Sequence, residues 1–156
     1  MEIGSQRTDE FVVEGLVTTD VGGTIGVTVL STPGMIGMME RTAATLAFEQ
    51  LPAGKATVGF AVNIKHVAGS LEGSTCTATA RITEVTDGRK LHFDVEVKEG
   101  DRTIGVGTHE RRVIDVAGHA QAAGSGQGPV EASESRDRAV SRRQTPPGEP
   151  VKGNQP

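Results

Sequence analysis

From Ala56 to Asp115 the chain alternates apolar and polar residues with a period of two. "ATVGFAVNIKHVA" (Ala56 to Ala68) sets Val58, Phe60, Val62, Ile64 and His66 on one face. "GSTCTATARITEV" (Gly73 to Val85) does the same with Cys76, Ala78, Ala80 and Ile82, and "KLHFDVEVKE" (Lys90 to Glu99) with Leu91, Phe93, Val95 and Val97. "TIGVGTHERRVID" (Thr103 to Asp115) closes the set with Ile104, Val106 and Val113. Strict alternation predicts strands with one buried face each. "TDGRK" and "EGDR" are hairpin turns between them.

Ahead of these strands the period changes. In "LSTPGMIGMMERTA" and its continuation, Ile36, Met39, Ala43, Leu46 and Ala47 form a helical stripe. Ser31 or Thr32 can cap this helix, Pro33 suits its first turn, and "LPAGK" (Leu51 to Lys55) ends it. "FVVEGLVTT" (Phe11 to Thr19) and "TIGVTVL" (Thr24 to Leu30) read as short strands that can pair across the glycines of "DVGG". A sheet with one apolar face needs one covering layer, and the single helix is the only candidate. The expected fold class is α+β: one long helix wrapped by a curved antiparallel sheet, the hotdog arrangement. So small and aromatic-poor a core also predicts a dimer.

The alternation stops near Val116. Residues 117–156 are rich in Gly, Pro and Ser and contain no aromatic, Leu, Ile or Met. Such a segment buries too little apolar area to offset its ordering entropy, so a folded domain over 1–116 and a disordered tail over 117–156 are expected. "SRRQTPP" in that tail reads as solvated linker. The formal net charge of −4 argues against a nucleic-acid partner. A lone cysteine, Cys76, excludes a disulfide within the chain and a thiolate metal cluster. No apolar run reaches the ~18 residues of a membrane span, and "MEIGSQRTDE" is not a signal sequence, so the cytosol is the default compartment.

Three residues stand out chemically. Glu40 falls among the apolar positions of the helix, where a carboxylate is costly to bury. It either serves chemistry, or pairs with Arg41 of another subunit, or reaches solvent from the edge of the stripe. His66 ends an alternating strand just before the Gly-containing loop "VAGSLEG", whose N–H groups could bind an oxyanion. A structural histidine is the plainer reading. Thr32 lies at a helix start, where a hydroxyl caps by default but also meets the positive end of the helix dipole. His92 and His109 read as outward-facing and less telling. No His/Cys pair has metal-ligand spacing, so no metal is expected.

"STPGMIGMME", "TVGFAVNIKHVA" and "GTHERRVID", in that order, resemble the hotdog thioesterases related to fluoroacetyl-CoA thioesterase, over roughly Val21 to Asp115. That family uses a Thr, a Glu eight residues later and a His 26 residues beyond, matched here by Thr32, Glu40 and His66. The resemblance implies these as the catalytic residues, with Glu40 as nucleophile or as base for water. It implies Gly59, Gly73 and Arg111 in substrate binding, and an acyl-CoA thioester as substrate with no cofactor. The family's fluoroacetyl-CoA enzyme has phenylalanines in a lid ahead of the helix, but Gly15 to Leu30 has no aromatic residue. A different or broader small acyl-CoA is therefore expected. A continuous helix would hold Thr32 and Glu40 about 12 Å apart, which predicts either an extended start before Glu40 or a site shared across a homodimer interface. The alternative to an enzyme is a non-catalytic hotdog dimer that binds acyl-CoA or another small hydrophobic ligand.

Overall fold

The computed structural model describes residues 1–124. The elements are β1 (Gln6–Val12), a single 3-10 turn (Gly15–Val17), β2 (Thr18–Thr19), β3 (Val29–Leu30), α1 (Thr32–Phe48), β4 (Lys55–His66), β5 (Thr75–Thr86), β6 (Lys90–Glu99), β7 (Arg102–Asp115) and α2 (Val116–Gly124). Five strands form one antiparallel sheet in the order β1-β5-β6-β7-β4, so β1 and β4 are its edges. α1 lies on one face of that sheet, and the hotdog expectation holds. The core is the seam between them. Met35, Met38, Met39, Ala43, Leu46 and Ala47 of α1 meet Cys76, Ala78, Ala80, Ile82, Leu91, Phe93, Val95 and Val97 of β5 and β6.

Both hairpins and all four long strands lie where alternation put them. The N-terminal strand does not. β1 starts at Gln6, and its helix-facing residues include Arg7 and Asp9, which are ion-paired to each other at 2.8 Å. Arg7 also bonds Glu49 at the end of α1. An inner face built from charged pairs leaves no apolar alternation to read. The strand expected over Thr24–Leu30 shrinks to Val29–Leu30, because the glycine-containing segment before it is an exposed loop with positive φ at Val21, Gly22, Gly23 and Gly26. The expected pairing survives as Thr18↔Leu30 and Thr19↔Val29.

Two bulges change which residues face α1. The β4–β7 register shifts between Gly59 and Ala61, and the β6–β7 register shifts between Val97 and Lys98. A bulge inserts one residue and so reverses side-chain parity beyond it. Phe60, expected inside, is 65% exposed and lies under the Arg112 guanidinium, 3.8 Å from its ring centroid. Val106, also expected inside, is exposed, while His109 and Arg111 are buried. The tail expected from residue 117 opens with α2, whose Val116 N–H donates to Gly54 O at 3.0 Å. The rest of that tail lies outside the described residues.

Candidate active site

Two adjacent hydroxyls open α1 and have different tasks. Ser31 is the cap: its Oγ accepts from the Gly34 N–H at 3.0 Å and donates to Val17 O at 2.9 Å. That leaves Thr32 free of capping. Its Oγ1 lies 3.0 Å from His66 Nδ1, in hydrogen-bond contact at the end of β4. The other ring nitrogen of His66, Nε2, is buried without a hydrogen-bond partner among the described residues. Thr32 and His66 share a cavity of about 370 Å³ with Thr19, Val21, Val29 and Gly69.

The loop after His66 is tied down by its own main chain. Val67 and Ala68 N–H both donate to Ile104 O, and Gly73 N–H donates to Val13 O at 2.8 Å. Those groups are committed and are not available as oxyanion donors. Gly73 also has open space around it and is absent from the Thr32–His66 cavity, where Gly69 stands instead. The substrate-binding role expected for Gly73 therefore finds no support in its geometry. Arg102 holds Gly69 in place by donating from NH1 to Gly69 O at 2.7 Å, and pairs with Glu99 through NH2. Ser74, then the Arg102 charge and Ser70, hold the Glu99 carboxyl below its ordinary range against the opposing effect of burial.

Glu40 belongs to a second cluster. α1 is continuous from Thr32 to Phe48, so the eight residues between Thr32 and Glu40 span about 12 Å, and there is no extended start. Glu40 Oε1 lies 3.6 Å from His109 Nε2 and 3.7 Å from Arg111 NH1. Gly59 of β4 sits directly beneath: a Cβ there would overlap Glu40 Oε1. The glycine is needed here for close approach and not for an unusual φ. Glu40 does reach solvent, with 42% of its side chain exposed, while its carboxylate also sits against Gly59, His109 and Arg111 of its own chain.

Arg111 is 6% exposed and almost fully committed. Its Nε donates to Thr57 Oγ1 at 2.9 Å, NH2 donates to Thr57 O at 3.0 Å, and NH1 donates to His109 Nε2 at 3.1 Å. His109 is 1% exposed, with Nδ1 2.9 Å from Ala61 O and its ring 6.2 Å from that of Phe93. Burial pushes the His109 pKa down, and the Arg111 charge adds to that, against the opposing pull of the Ala61 carbonyl and Glu40. Burial likewise lowers Arg111, which Glu40 partly offsets. Among the described residues no group of three or more His, Cys, Asp or Glu side chains could hold a metal.

One chain thus brings Thr32 to His66, and Glu40 to Gly59 and Arg111, as two separate clusters. Sequence reasoning missed His109, because the bulge beside Gly105 that turns odd-numbered residues of β7 inward leaves no mark in the chain. The sequence model described as FlK, fluoroacetyl-CoA-specific thioesterase, matches residues 13–117. The chain belongs to this family. The fluoroacetyl-CoA thioesterase of Streptantibioticus cattleyicolor is 37% identical over 86 residues, which cover 55% of this chain and 61% of that relative. The solved structure of the fluoroacetyl-CoA thioesterase FlK superposes with a TM-score of 0.73 at 29% identity, over 82% of this chain and 98% of that one. A mutant of FlK in complex with fluoroacetate and CoA superposes at 0.69 with 31% identity, over 76% and 99%. The FlK-family match spans β4 to β7 and α1, and so contains both clusters.

Proposed function

We propose that this protein hydrolyses a small acyl-CoA to the free acid and CoA. The observation that carries the reading is the Thr32–His66 pair lining a cavity, in a chain that also positions a carboxylate beside a buried guanidinium. Water adds to the thioester carbonyl, or Glu40 adds to it and water then cleaves the resulting anhydride to free acid and carboxylate; in either route the C–S bond breaks and the sulfur leaves as thiolate that takes up a proton. Thr32 positions the thioester, His66 moves the proton, and Arg111 supplies a fixed positive charge near the developing anion. Single turnover in ¹⁸O water separates the two routes: label enters the Glu40 carboxylate only if Glu40 is the nucleophile.

The two clusters are half-sites joined by a second copy. β4 is an edge with Phe60, Ala61 and Val62 exposed, and such an edge is a template for another strand. Antiparallel pairing of two β4 strands about a two-fold at Asn63, with the bulge at Phe60 absorbing one residue, sets Gly59 of one protomer opposite the partner's His66. Opposed residues point to the same face, so Glu40 then meets the partner's Thr32–His66 pair. The acyl group is small and not restricted to fluoroacetyl, since the loop ahead of α1 carries no aromatic side chain. The test is free-thiol release from a panel of short acyl-CoAs by wild type and Glu40→Ala. Turnover by wild type and its loss in the variant are expected; no thiol release from any thioester rejects the reading.

A further inference from the structure

The Glu40 cluster contains one titratable group with no part in the proposed chemistry. His109 is enclosed by Glu40 from α1, Arg111 from its own strand, Ala61 O and Gly59 from β4, and Phe93 from β6. Glu110 acts only from the far face of β7, where it pairs with Arg112. These contacts fix the ring chemically. A carbonyl oxygen only accepts, so Nδ1 must carry the hydrogen that meets Ala61 O. A guanidinium only donates, so Nε2 must present a lone pair to Arg111 NH1. Both hold together only in the neutral Nδ1–H tautomer.

We propose that His109 is a positioning residue: as the neutral Nδ1–H tautomer it locks the Arg111 guanidinium in place beside Glu40, and taking a proton breaks that lock. Protonation puts an N–H where Arg111 needs an acceptor, 3.1 Å away, and sets two cations side by side. The new Nε2–H faces Glu40 Oε1, already 3.6 Å off, so Glu40 exchanges its guanidinium partner for an imidazolium. Arg111 keeps both bonds to Thr57 and pivots about them. The pair that sets the charge beside the thioester is thereby made sensitive to acid through a residue that does not touch substrate. The low pKa of His109 keeps the lock shut at neutral pH.

The inference rests on the thioesterase reading only for its kinetic consequence, and the test has one arm that does not need turnover. In ¹⁵N-histidine spectra of the full-length protein, His109 is expected as an Nδ1–H tautomer with an accepting Nε2. It stays neutral at pH values where a free histidine, with its ordinary pKa of ~6.5, has already taken up a proton. Arg111→Met is expected to shift the Nε2 resonance. An Nε2–H tautomer, or protonation at the pH where free histidine titrates, overturns the proposal. In the kinetic arm, His109→Leu is expected to lose about 10²-fold in kcat/KM at pH 8. His109→Gln, whose amide oxygen can accept from Arg111 but does not titrate, is expected to recover about tenfold of that loss and to lack the acidic limb. A His109→Leu variant with wild-type kcat/KM and pH profile overturns it. Absence of thiol release from wild type refutes the enzyme reading alone, because the spectra still decide the lock.

Discussion

Ser31 and Thr32 differ by one position and one methyl group, yet one holds the helix and the other holds His66. Their substitutions should separate accordingly. Ser31→Ala is expected to cost about 1 kcal/mol of stability in urea unfolding, the ordinary loss of a cap. Thr32→Val, at an exposed side chain, is expected to leave the unfolding midpoint in place and to lower kcat in thiol-release assays. A Thr32→Val variant that melts early but turns over normally would reverse this assignment. Gly59→Ala is a second test at this scale. The added methyl overlaps the Glu40 carboxylate and displaces it from Arg111, and a displacement of about 1 Å at a reacting group costs on the order of 10²-fold in kcat/KM. Gly59→Ala at wild-type rate would remove Glu40 from the chemistry.

At the scale of elements, the four long strands, both hairpins and α1 were legible because hydrophobic period is a local property. Parity is not. Glycine at 59 and 105 gives no sign in the chain that a residue is inserted nearby, yet each bulge inverts the side chains beyond it. That inversion sent Phe60 and Val106 out and His109 in, and it is why the triad spacing was readable while the residue beside Glu40 was not. β1 was illegible for another reason: its inner face is stabilised by Arg7–Asp9 pairing, which has no apolar signature. The bulged edge strand yields its own prediction. Val62→Lys places a charge in the unpaired edge of β4, and like charges meeting across a two-fold oppose pairing. Sedimentation should show monomers, with thiol release lost together with the dimer; an active monomer would refute the shared site.

For the whole molecule, acid should act in two steps, each with a defined sign. The folded pKa of His109 lies below its ordinary 6.5, so as pH falls below that value the unfolded chain takes a proton that the folded chain refuses, and stability is lost. Asp9 is held below its ordinary 3.8, chiefly by hydrogen bonds from Arg7, so its contribution persists until pH falls past that value and is then lost. Thermal melts across this range should show both steps, and His109→Gln should abolish the first while leaving the second. Assembly has a comparable signature. Glu40→Ala and His66→Ala, each inactive alone, should recover about a quarter of wild-type activity when mixed and allowed to exchange, since half the dimers are mixed and each carries one intact site. No recovery after verified exchange would place the whole site within one chain. The division of labour at the start of α1 also bears on how such a protein changes over generations. Because the helix is anchored by Ser31, position 32 can drift through other residues without unfolding the chain. New chemistry can therefore be sampled there by lineages that remain folded throughout.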